Sequence, residues 1–499
     1  SCVLYAQDVY TKTLPALAVV QPGSTEELAA AVKCITSSGH AIIARGGGMS
    51  YTSGYVPTEE GSVIVDMQRM NRVLDINPVD MTVSVECGCT WKSLHEALEG
   101  SGCRTGYWGT LSGIHATVGG GLSQNSIFWG SGRYGTAADA VLSLDVVLAD
   151  GSIVRTGSAA QRNAVPFFRH YGPDLTGLFT CDTGALGLKA AATLRLVPVR
   201  DHREGLSFDF GDYRSLVAAM SDIARADLAH ECFAFDPRLQ AVRLQRESLM
   251  SDVKKLAGVM KAGGSVLGAL REGAKVAVAG RGYMKNVQYS LHVMIEDRSR
   301  AAVLDAAAAV REICDGHGGR EIENSIPTIL RANPFTPLNN MVGPNGERWV
   351  PVHVLVAHSQ AEAVLSGVLA VLDKHDAAME EHGIGWGYLL ATVSTNGFVI
   401  EPVFFTPDAL NEIHEATVEE HVLKKMRRFD ANPAAAAVTA GIRAELLQLF
   451  NDAGGIHMQI GKAYPYRTGL RPESWRVIDA LKSAVDPERR VNPGSLGLD

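Results

Sequence analysis

A chain of 499 residues is long enough for two or three domains with substantial cores. Its 46% hydrophobic and 20% charged residues are ordinary for a soluble globular protein, and a formal charge of −8 argues against a nucleic-acid partner. No apolar run approaches the roughly 18 residues of a membrane span, and no signal-peptide pattern opens the chain, although Ser1 stands without Met and leaves a processed N-terminus open. The eight cysteines show no zinc spacing, so a reducing, cytoplasmic setting and no metal are expected.

Along the chain, Ser24 with Glu27 three residues on reads as a capping box opening a helix with Leu28, Val32 and Ile35 on one stripe. Residues 41–44 read as a buried strand that runs through Arg45 into Gly46, Gly47 and Gly48, then Met49, Ser50 and Tyr51. Three glycines without Cβ atoms allow backbone N–H groups to turn around a phosphate, and a dinucleotide pyrophosphate is the natural occupant; a plain turn is the other reading. The Rossmann fingerprint fails here, because breakers rather than a helix follow the glycines. Asp66, 20 residues after Gly46, has the spacing of a ribose carboxylate without that context. Strands over 63–66 and 82–86 and a helix over 91–98 follow. A second triple glycine, Gly119 to Gly121, is expected to form a loop lining the other side of the same ligand. Residues 141–149 and 153–156 predict a hairpin around Asp150-Gly151. A third glycine turn at 182–187 leads into a strand over 191–196. Beyond residue 200, strands over 206–210 and 291–295 and a helix over 301–313 are expected. The stretch 252–285 carries seven Lys and Arg, read either as a basic face for a membrane or electron-accepting partner or as a solvated helical insertion.

The words QPGSTEEL, ARGGGMSY, MNRVLDIN, VECGCTWKSL, TVGGGLSQNS, GRYG, VVLADGSIV, GLFTCDTGALGL and VDPERRVNPG occur in this order. In that order they resemble the FAD-binding domain of the vanillyl-alcohol oxidase family, the PCMH-type flavoproteins. The resemblance covers about 15–199 and 455–499. It implies an α+β fold: a two-subdomain PCMH-type FAD-binding domain (1–199, completed by 455–499) and a β-sheet cap flanked by helices for the substrate (200–454). It also implies FAD, held by Arg45, Gly46, Gly47, Gly48, Met49, Ser50, Thr117, Gly119, Gly120, Gly121, Ser123, Gly184, Leu188 and Asn492.

The resemblance assigns chemistry residue by residue. Where bicovalent members carry the His and Cys that bond the flavin, this chain has Met49 and His115, so bonds of that type are unavailable. His115 is then a hydrogen-bonding or acid/base candidate, or a satisfied loop histidine. Tyr466-Arg467 looks like the pair that holds a substrate phenolate in the 4-phenol oxidising branch, with Tyr51 near its third ligand. Gln124 falls where that branch keeps an acidic residue, and Gln cannot take a proton. Lys462 and Arg467 would instead serve a carboxylate. His353 and His358 are candidates for a flavin bond or a metal, with core or surface roles as the plainer reading.

The expected function is a FAD-dependent oxidoreductase taking hydride from an alcohol or benzylic carbon of a phenolic substrate. A 2-hydroxy-acid dehydrogenase of D-lactate or glycolate type and a non-oxidising lyase or isomerase are the alternatives. Partners are a small-molecule substrate and an undetermined electron acceptor (dioxygen, cytochrome or quinone), with a homo-oligomer open and no nucleic acid.

Overall fold

A computed structural model describes residues 2–245 and 287–499, so the basic stretch 252–285 lies outside the described residues. The helix Thr25–Ser37 is capped by Ser24, whose hydroxyl accepts from Glu27 N at 3.2 Å. Glu27 closes the turn one residue earlier than a standard box, accepting from Gly23 N at 2.7 Å. Leu28 and Val32 drive this helix onto Ile42 and Val65 of a parallel three-stranded sheet. Its middle strand Val63–Asp66 lies between Ala18–Val20 and Ile42–Arg45, and all four of its residues are buried.

A second sheet of six strands is antiparallel and centres on Leu188–Pro198, which pairs with Thr82–Glu86, Val141–Val147 and Cys103–Thr105. The expected hairpin forms, with Gly151 at φ 82° letting the chain turn into Ile153–Arg155. The second glycine run differs from expectation. It is the first turn of a helix, Val118–Gln124, capped by Thr117 Oγ1, which accepts from Gly120 N at 3.2 Å. Close packing overrides the poor helix propensity of glycine, since a Cβ on Gly119 would collide with Cys87.

The middle of the chain builds an eight-stranded antiparallel sheet from His202–Phe210 through Gly397–Thr406. Period-two alternation gives it two different faces. Cys232, Ala234, Leu390, Ile400 and Phe404 point to one core under the helices Tyr213–Arg225, Arg300–Gly316 and His358–Lys374. Phe233, Phe235, Leu389, Ala391, Val399, Val403 and Phe405 point the other way, into a second core with Trp108 and Trp129 of the glycine-loop half. The fold is therefore α+β, a two-subdomain half that carries the glycine runs and a helix-flanked β-sheet cap.

The chain then returns. Ile456 bridges Leu355 of the cap, and Val491 bridges Ile42 beside the first glycine loop. The helix Pro472–Val485 is fixed by buried Lys482, whose amine donates to Asp486 at 2.6 Å and to the carbonyls of Ala185 and Val491.

Candidate active site

One cavity runs from the glycine loops to the underside of the cap. At one end its walls are Ala44 to Ser50, Met67, Cys87, Thr117, Gly119 to Gly121, Thr183, Gly184, Gly187 and Lys189. The glycines interlock. A Cβ on Gly46 would land on Thr117 Oγ1, and one on Gly47 would land on the carbonyl oxygen of His115. Gly48 takes φ 75°, and its missing side chain leaves room for the Arg45 guanidinium. Arg45 is 5% exposed, lies over Tyr5 at 4.8 Å, and its Nε has no acceptor. A cradle that any Cβ would fill, beside a buried guanidinium with an unused donor, fits the pyrophosphate of a dinucleotide.

Of the residues singled out from sequence, Arg45, Gly46, Gly47, Gly48, Met49, Ser50, Tyr51, Thr117, Gly119, Gly120, Gly121, Ser123, Gln124 and Gly184 are brought together as walls of this cavity. Tyr51 stands edge-on to Trp349 at 5.3 Å, and its hydroxyl accepts from Gln459 Nε2 at 3.4 Å. Burial pushes the Tyr51 phenol well above its ordinary range, which keeps it a donor. Gln124 accepts from Thr52 at 3.5 Å, which fixes its amide beside the first loop.

Other residues singled out from sequence lie away from the cavity walls. Leu188 points into the core beneath the first sheet, because strand alternation hands the cavity wall to Gly187 and Lys189 on either side. Asn492 stands behind the wall, where its Nδ2 donates to Gly54 O and Thr183 O, both at 2.7 Å, and ties two cavity loops together. The His115 side chain is not a wall; only its backbone reaches the glycines, and burial lowers the imidazole pKa. Tyr466 and Arg467 lie on the short helix Tyr466–Gly469 outside the cavity, with exposed Arg467 over the Trp475 ring at 4.9 Å. Lys462 turns away to donate to Val56 O at 2.7 Å, and burial pushes its amine down to about 7. Asp66 accepts from Tyr5, Gln21 and Gln68 rather than facing the cavity. His358 bonds Ser221 and the Thr395 carbonyl. His353 is buried behind Tyr51. Its Nε2 accepts from the N–H groups of Met458 and Gln459 at 3.3 and 3.4 Å, which leaves Nδ1 to donate to Tyr464 at 3.0 Å. Burial, then the neighbouring His457, pushes its pKa down to about 3 and keeps it neutral. Among the described residues no His/Cys/Asp/Glu group is placed to hold a metal.

The cap end of the cavity holds residues that the sequence reading missed. Its walls include Leu239, Trp349, Leu389, Ala391, Val403, Phe405 and Phe128, with two charges, Arg243 and Glu401, and the amide of Gln459. Glu401 was legible, since GFVIEPVFFT alternates and Glu401 shares the inward parity of Val399, Val403 and Phe405. Arg243, on the helix Pro237–Gln245, carries no such pattern.

Residues 16–157 match the FAD binding domain family. The chain is 30% identical over 212 residues to the glycolate oxidase subunit GlcD of Bacillus subtilis (42% of this chain, 43% of that one). It is 34% identical over 209 residues to a probable mitochondrial D-lactate dehydrogenase of Danio rerio (42% and 40%). The chain therefore matches less than half the length of these relatives. In architecture it is similar to p-cresol methylhydroxylase with substrate bound (TM-score 0.74, 18% identity, 100% of this chain and 92% of that one). It is similar too to the 4-ethylphenol oxidase of Gulosibacter chungangensis in its isoeugenol complex (TM-score 0.71, 17% identity, 99% and 92%). FAD is the dinucleotide for which this cradle is built.

Proposed function

We propose that this protein is a FAD-dependent oxidoreductase that takes hydride from an alcohol or benzylic carbon of a small, largely apolar molecule. The observation that carries this reading is the continuity of one cavity, from glycine cradle to apolar cap chamber, with Tyr51 and Gln124 on its walls. FAD, when bound, supplies the hydride acceptor. The chain's own residues do the rest. Phe405, Leu389, Val403 and Trp349 exclude water from the chamber, and Tyr51, held by Gln459, presents a neutral hydroxyl to a substrate oxygen. In this reading residues 1–199 with 455–499 form the cofactor half and 200–454 the cap that shapes the chamber.

The glycolate oxidase and D-lactate dehydrogenase relatives favour a CH–OH substrate, and the names p-cresol and 4-ethylphenol favour a phenol. The narrower phenolate reading keeps Tyr51 but loses Tyr466 and Arg467, which stand off the cavity. The test is anaerobic mixing of the purified flavoprotein with hydroxy acids, benzylic alcohols and 4-alkylphenols. Loss of the visible flavin absorbance with at least one class is expected. No reduction by any class, in protein whose flavin dithionite still reduces, overturns the reading.

A further inference from the structure

Arg243 and Glu401 face the same cavity, and neither charge has a protein partner among the described residues. The Arg243 guanidinium lies over the Phe235 ring at 4.3 Å, and its buried Nε finds no acceptor. Glu401 accepts no hydrogen bond from a described side chain or backbone group, and it is the acidic residue on the cavity wall. Each feels the other's charge through the chamber. Unpaired charges in an apolar chamber are costly, so the arrangement is completed by something that enters it. Around them the chamber is Leu239, Leu389, Val403, Phe405 and Phe128, a lining for an apolar body.

We infer that Arg243 grips an anionic oxygen of the substrate while Glu401 receives the proton of its alcohol group, so the substrate is an apolar-bodied alcohol that also bears an acidic oxygen. This rests on the oxidoreductase reading above. With FAD bound in the cradle as hydride acceptor, the C–H bond would give up its pair as hydride, the O–H proton would pass to the Glu401 carboxylate, and a C=O bond would remain. Burial pushes the Glu401 carboxyl up to about 7 against the pull of Arg243, which suits a group that takes a proton and returns it near neutrality. The acidic oxygen is a carboxylate or a phenolate, and the test separates the two.

Holoprotein is titrated calorimetrically with benzoate, with 4-nitrophenolate and with neutral benzamide. One of the anions is expected to bind, and which one does names the source of the oxygen; benzamide should bind much more weakly. In Arg243→Ala with unchanged flavin content, anion affinity should fall about ten- to hundredfold, and Arg243→Lys should recover part of it. Should Arg243→Ala fail to fold, Arg243→Gln carries the same comparison. Glu401→Gln should keep or tighten anion binding while slowing flavin reduction and removing its pH dependence near neutrality. The inference falls if neither anion binds, if Arg243→Ala binds as the parent does, or if Glu401→Gln loses binding as Arg243→Ala does, which would mark a structural pair. The two readings fail separately. Arg243-dependent anion binding without reduction by any alcohol sinks the oxidoreductase reading, whereas alcohol-driven reduction with Arg243-independent binding sinks this one.

Discussion

A methyl group on Gly47 would occupy the place of the His115 carbonyl oxygen, so that glycine is required by the second loop before any cofactor arrives. Gly47→Ala is expected to push the two loops apart, lowering both flavin content and Tm; protein with parental flavin affinity and Tm would contradict the interlock. Arg467 sits at the opposite extreme. Exposed and stacked on Trp475, it contributes about 0.5–1 kcal/mol as a surface cation–π contact. Arg467→Ala should therefore leave kcat/KM within about twofold, and a tenfold loss at unchanged Tm would return it to the substrate. The flavin linkage belongs to the same scale. Among the described residues no histidine is a cavity wall, and the one wall cysteine, Cys87, is buried with its thiol pushed up to about 12. A protonated thiol is a poor nucleophile, so acid should release FAD intact. A flavinylated peptide in the mass spectrum would refute this and name its residue.

At the scale of elements, the two halves are clamped by a buried ionic triad. Arg104, on the strand Cys103–Thr105, donates to Glu296 on the cap strand Tyr289–Asp297 at 2.8 Å, and Arg331 on the helix Ser325–Ala332 donates to the same carboxylate at 2.6 Å. Arg331 also lies over Trp108 at 4.1 Å. Removing the shared acid strands two guanidinium groups, so Glu296→Ala should cost about 3–5 kcal/mol and loosen cap from cradle. Burial raises the Glu296 carboxyl pKa, but Arg331 and Arg104 outweigh it and hold the group below the ordinary range. A lowered folded pKa means stability that is complete above the unfolded value of about 4.3 and is lost as pH falls below it. Acid unfolding of the parent should steepen in that window and flatten in Glu296→Gln. The triad was invisible in sequence because its members stand 35 and 192 residues apart. Short-range signals fared better. The Ser24 cap and the Asp150-Gly151 turn each depend on neighbours within a few residues. Leu188 shows the limit, since one step along a strand exchanges the cavity for the core. Tyr466 and Arg467 show it again: a matching word fixed the residue types but not the side of the segment that faces the ligand.

At the scale of the molecule, the cavity is assembled from three stretches of chain that are far apart in sequence. The glycine loops come from the first third, the chamber from the cap sheet, and the braces from residues near Asn492. A chain stopped after residue 454 is expected to keep its cap sheet but to bind no FAD, because Gly54 and Thr183 lose their common donor and the Ala185 carbonyl loses Lys482. Supplying 455–499 as a separate peptide should restore colour, and a coloured truncated protein would show the braces to be dispensable. Chain order also sets a timetable for biosynthesis. The ribosome delivers both glycine loops more than 300 residues before the Asn492 bridge, so over that interval the nascent cradle stands open. Flavin loading is thereby tied to delivery of the stretch around Asn492, and a chain stalled or released before it should leave the ribosome colourless.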